Sequence, residues 1–181
     1  MVHYTRFLVI DVESIGLHGE GFAVGYAVLE KQGGITATGL FACQSHLASG
    51  TQPNHAWVQN NVCIPEFNCD TPRDVRSAFW SFWEDFRARH GSALAADCAW
   101  PVEANFLAQC IADNTLRGTS GPYPLFDVSS FLVAAGSDPL KQYPRLPSEL
   151  PAHNPVADAR QSARILHSCL TQLGYWSAVG A

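Results

Sequence analysis

Near its start the chain runs Phe7-Leu8-Val9-Ile10 without a polar residue and then continues Asp11-Val12-Glu13. With β-branched residues at 9, 10 and 12, this stretch predicts a strand covered on both faces and therefore central in its sheet. Side chains two apart on a strand share a face, so Asp11 and Glu13 leave the strand end on the same side. Two carboxylates held together there repel each other, and a divalent cation keeps both ionised. The alternative is a pair of solvated acids in a turn.

The 181 residues correspond to one domain spanning 1–181. A hydrophobic content of 47% supplies one core, and 15% charged residues with that content exclude a mainly disordered chain. The formal charge of -5 is opposite in sign to that of a protein coating a polyanion, so contact with nucleic acid has to be local. No apolar run approaches the ~20 residues that cross a bilayer, and no secretory signal is visible, so no membrane partner is expected. Six cysteines form no CxxC pair, and several lie in apolar stretches. These features read as a reduced, cytoplasmic protein.

Phe22 to Glu30 and Gly34 to Cys43 read as two more strands joined by a hairpin turn at Lys31-Gln32-Gly33-Gly34. Residues 44 to 70 are polar and without period, and read as a long surface loop. Thr71-Pro72-Arg73-Asp74 caps a helix whose Val75, Phe79, Phe82, Trp83 and Phe86 form one face before Gly91 ends it. A fourth strand at Ser92 to Cys98 precedes a helix carrying Phe106, Leu107, Cys110 and Ile111. Pro124 to Val128 is a fifth strand with a short helical segment after it. A proline-rich loop from Gly136 leads to Asn154-Pro155, the cap of a final helix with a stripe of Ala159, Ala163, Leu166, Leu170 and Leu173.

His153-Asn154-Pro155-Val156-Ala157-Asp158 places a histidine before that cap and an aspartate one turn inside. Taken singly, Asp158 complements the helix dipole and His153 is a loop residue. Taken together, D-x-E after the first strand and H-x4-D at the last helix resemble the DEDDh family of 3′-to-5′ exonucleases. Phe7 to Gly16 looks like that family's first motif, with Ser14 where threonine is common, and His153 to Ala163 is similar to its third. The resemblance covers nearly the whole chain. It implies a ribonuclease H-like fold, a mixed sheet of about five strands with helices on both faces.

The family's second motif carries an aspartate, but Pro101-Val102-Glu103-Ala104-Asn105-Phe106-Leu107 offers Glu103 in its place. Asp97, at the end of the fourth strand, is the alternative. As the resemblance implies, Asp11, Glu13, Asp158 and the second-motif acid hold two Mg²⁺ or Mn²⁺ ions, and His153 is the general base. It further implies that Ser14, Ile15 and Leu17 touch the sugar and base of the terminal nucleotide. The activity expected is stepwise release of 5′-mononucleotides from single-stranded RNA or DNA 3′ ends or short oligonucleotides, because the acidic composition offers no basic track for a long duplex. Some members are homodimers, and that assembly is open here. So is a weakly active or inactive form that binds nucleic-acid ends or a protein partner, given Glu103 in place of aspartate.

Four other features have alternative readings. His46, His55, Cys63 and Cys69 are zinc-ligand types at spacings that match no short zinc pattern. Asp127 reads as support for its loop. Lys141 and Arg145 are either a phosphate clamp or solvated side chains. The aromatics at 79, 82, 83 and 86 read as core packing rather than a base-stacking platform.

Overall fold

The structure, a computed structural model, describes residues 4–32, 34–119 and 121–176. Strands β1 (Arg6–Ser14), β2 (Gly21–Glu30), β3 (Gly34–Ala42), β4 (Ala93–Ala96) and β5 (Leu125–Asp127) form one sheet in the order β3-β2-β1-β4-β5. The first three are antiparallel neighbours, whereas β4 and β5 join parallel. The long run from Phe7 is therefore central, as expected for a strand with no polar face. The turn after β2 includes Gly33, which lies outside the described residues.

Alternation along β1 separates two cores. Leu8, Ile10 and Val12 pack with helices α2 (Pro72–His90) and α3 (Val102–Asp113) on one face. Phe7 and Val9 pack on the other with helices α4 (Val128–Ala134) and α5 (Pro155–Gln172). Asp11 and Glu13 continue the Phe7-Val9 row and so emerge on the α5 side.

Helix α2 begins where the capping pattern predicts. Thr71 accepts the Asp74 N–H through its side chain, Pro72 sits in the first turn, and Gly91 closes the helix at φ +59°. Val75, Phe79, Trp83 and Phe86 are buried together with Trp80, while Phe82 is only partly covered. Their burial, about 1.5–3 kcal/mol for each large apolar side chain, fixes α2 to the sheet and leaves no stacking platform.

One segment differs from the sequence expectation. Residues 44–70 are not simply a loop, because they contain α1 (Gln52–Asn61). Only Val58 of α1 is buried, so there is no apolar stripe from which periodicity could reveal the helix. The proline-rich segment before α5 is a loop, as expected, with turns and a short 3₁₀ turn at Pro147–Glu149, and it is tied down along α5. Arg164 donates from Nε to Glu149 at 2.6 Å and from Nη2 to the Pro144 carbonyl at 2.8 Å, while Gln161 donates to the Tyr143 carbonyl at 3.0 Å. Among the described residues, no helix is long and apolar enough to cross a membrane.

Candidate active site

The site lies where β1 outlasts its parallel partner. The last β1–β4 pair is Ile10 with Ala96, after which β4 turns away at Asp97. The Val12 N–H on the opened edge is taken up by Glu103 Oε1 at 3.4 Å, reaching from the first turn of α3. Glu103 is thus a buried acid, 6% exposed, whose helix packs on the opposite core.

Asp158 arrives from the other face through an unusually close helix–strand approach. Gly25 pairs with Asp11 in the β1–β2 register, and a Cβ at Gly25 would lie 2.2 Å from the Pro155 carbonyl carbon. Only glycine lets the start of α5 rest on the sheet at that point. Asn154 fixes the helix start by accepting the Val156 and Ala157 N–H groups at 3.1 and 3.2 Å. One turn on, Asp158 faces the end of β1.

As a result, Glu13, His153 and Asp158 each offer a ligand atom within 4.8 Å of the other two. Asp11 lies in the same field. Burial pushes its carboxyl well above the usual aspartate range, and the charges of Glu13, Asp158, Glu103 and Asp97 push it further. Burial likewise raises Glu13, 8% exposed, to about 7, aided by Asp158 and Glu103. Glu103 is pushed up to about 7 by burial, against the hydrogen bonds it accepts. Desolvation of the Asp97 carboxyl, then the charges of Asp127 and Asp158, raise its pKa, although the residue as a whole is exposed. Buried acids crowded in this way lack positive charge, and all-oxygen donors suit a hard divalent cation such as Mg²⁺ or Mn²⁺. The residues therefore fit such an ion.

One guanidinium also reaches the cluster. Arg145 ion-pairs with Asp158 through Nη1, which also donates to the Glu149 carbonyl at 2.9 Å. Arg145 is thus not merely solvated. His153 sits at the mouth with φ +57°, a left-handed conformation uncommon for a residue with a side chain. Its carbonyl accepts the Cys63 N–H at 2.8 Å, and the Trp57 ring meets its imidazole edge-on at 5.2 Å between centroids.

Beside these groups is a cavity of about 320 Å³ walled by Glu13, Ser14, Leu17, Asn54, Trp57 and Val102. Ser14 and Leu17 line this cavity. Ile15 does not, since its side chain is fully buried in the core and away from the cavity wall. The chain reverses at Gly16, φ +76°, where any Cβ would meet Asn54 Nδ2 at 2.1 Å, and this turn sends Ile15 inward. Asn54 in turn donates to the Ile15 carbonyl at 3.3 Å. Sequence reasoning missed Asn54 and Trp57 because both belong to the unrecognised α1. A tryptophan in an otherwise polar stretch was the available signal, and the structure leaves it 49% exposed.

Asp127 behaves as expected of a loop support. Its carboxylate caps α4 by accepting the Ser130 N–H at 3.0 Å and holds the Ala99 N–H at 3.2 Å. The residues of the zinc alternative are not gathered, since the one metal-competent group among the described residues is Glu13, His153 and Asp158.

The sheet order, the helices on both faces and the acids at the end of the central strand define a ribonuclease H-like α/β fold. Solved structures of exonuclease I share this fold. An apo form superimposes with a TM-score of 0.57 at 12% identity, covering 96% of this chain and 44% of that one. A structure titled as suggesting how exonuclease I achieves processivity gives 0.56 at 12%, covering 95% and 42%. An SSB/exonuclease I structure in complex with the inhibitor CFAM gives 0.53 at 13%, covering 94% and 42%. The chain therefore spans less than half the length of these exonuclease I chains. No family model matches it, and no curated protein sequence matches it significantly.

Proposed function

We propose that this chain is a divalent-metal-dependent 3′-to-5′ exonuclease domain of the DEDDh type, releasing 5′-mononucleotides from single-stranded RNA or DNA ends or short oligonucleotides in the cytoplasm. The observation that carries this reading is the meeting of four acids from three elements, Asp11, Glu13, Glu103 and Asp158, with His153 at their mouth. Asp11, Glu13 and Asp158 would hold the metal, with Glu103 or Asp97 completing the set. Glu103 is the better candidate, because burial and the Val12 N–H fix its carboxylate against β1. A pair of Mg²⁺ or Mn²⁺ ions would supply Lewis acidity for an in-line phosphoryl displacement.

The protein's own groups do the rest. Imidazole is the side chain suited to proton transfer near neutral pH, and His153 accepts a proton from the attacking water. Its strained backbone, the Cys63 hydrogen bond and the Trp57 edge hold the ring in place. The terminal base fits between Leu17 and Trp57, whose apolar surfaces serve any base, and Ser14 lies beside the sugar.

The decisive experiment follows mononucleotide release from matched 3′-labelled RNA and DNA oligomers with Mg²⁺, with Mn²⁺ and with chelator, beside Asp11→Ala. Metal-dependent release that disappears in Asp11→Ala is expected. No release by the folded protein from either substrate would overturn the reading. It would favour a binder of nucleic-acid ends, for which Glu103 in place of aspartate and the Arg145–Asp158 pair are the specific indications.

A further inference from the structure

A second cavity of about 470 Å³ opens on the far side of His153, between α5 and the proline-rich segment. Its walls include Lys141, Tyr143, Arg145, His153 and Gln161 together with Asp97, so two cations and neutral donors face a single carboxylate, whereas the centre beside it gathers four acids. Its position shares Arg145 with that centre. Both hydrogen bonds of Arg145 run from Nη1, to Asp158 and to the Glu149 carbonyl, and among the described residues its Nε and Nη2 carry none. Those two groups form the face of a guanidinium that grips a phosphate through paired donors. The Lys141 ammonium lies 5.9 Å from the Tyr143 ring centre on the same wall.

A carboxylate oxygen engaged by a guanidinium cannot give the same lone pair to a metal. The backbone that carries Arg145 is held independently of Asp158, through the grip of Arg164 on Glu149 and on the Pro144 carbonyl. The side chain can therefore leave Asp158 without the segment moving. We propose that Arg145 is a placeholder cation, which holds Asp158 until a divalent metal displaces it and then binds a substrate phosphate in the adjoining cavity. Metal loading and phosphate capture are thereby one exchange: the metal frees the guanidinium, and the phosphate keeps it from returning.

This inference rests on the metal site proposed above, and its test separates the two. Mn²⁺ binding to the intact protein is measured by calorimetry for wild type, Arg145→Gln and Arg145→Lys. Next comes binding of a nucleoside 5′-monophosphate, and of the nucleoside without phosphate, in the presence of Ca²⁺. Removing a charged hydrogen bond that competes with the metal is expected to tighten Mn²⁺ binding about tenfold in Arg145→Gln. Affinity for the monophosphate is expected to fall about tenfold, with nucleoside binding unchanged. Arg145→Lys, which keeps the charge but not the paired donors, falls between, and it carries the test should Arg145→Gln not fold. Equal Mn²⁺ affinity in all three proteins overturns the placeholder role and leaves the metal site standing. Absence of Mn²⁺ binding in every form overturns the metal site and the exchange with it. An equal loss of nucleoside and monophosphate binding overturns the phosphate role.

Discussion

Gly25→Ala changes no acid and no charge, yet it tests how the site is assembled. The added methyl would sit 2.2 Å from the Pro155 carbonyl carbon, 2.3 Å from its oxygen and 2.5 Å from the Val156 nitrogen. Ordinary contact begins near 3.4 Å, so the first turn of α5 has to retreat by about 1.2 Å. These are backbone atoms of a capped helix, with no flexible side chain to give way. Overpacking of this kind costs about 1–3 kcal/mol, which leaves most single domains folded. A shift of about 1 Å in a reacting constellation costs roughly 100-fold in rate, and Asp158 and His153 both ride on this helix start. Urea denaturation and mononucleotide release, measured on the same preparation, are therefore expected to diverge, with a modest loss of stability and a large loss of kcat. Wild-type kcat together with wild-type stability would refute the argument that the α5 approach positions Asp158.

Three further outcomes follow from the same geometry. In chelator, Glu13 and Glu103 titrate near about 7 in the folded protein against 4.5 for an unperturbed glutamate, so the native state holds protons that the unfolded chain has released. Stability of the metal-free protein should fall as pH rises through that window, and protection by Mg²⁺ should grow with it; thermal melts that rise across the same range would contradict this. Trp57→Ala should raise KM about tenfold with little change in kcat, the loss of one base-stacking contact, and an unchanged KM would remove Trp57 from the nucleotide cavity. His153→Ala should slow turnover about 100-fold or more while Mn²⁺ affinity measured by calorimetry stays within about threefold, whereas a parallel loss of both would make His153 a ligand instead of a base.

The central strand, the order of elements and most of the acids were legible in the sequence because each rests on a local rule. An apolar run reports burial on both faces, alternation places Asp11 and Glu13 together, and Asn154-Pro155 marks a helix start with Asp158 one turn inside. Helix α1 left no such trace: a helix held by one buried valine and a few loop contacts has no stripe, so Trp57 and Asn54 stayed hidden. Ile15 shows the same limit from the other side, since the turn at Gly16 and the fit of Asn54 send its side chain into the core. Only the tertiary structure brings Arg145 onto Asp158 across thirteen residues of loop and helix, and Glu103 onto the Val12 N–H from the opposite core. Local sequence specifies which residues share a face, while the distance between faces depends on close approaches such as Gly25 against Pro155, where the absence of one methyl group decides whether the acids meet.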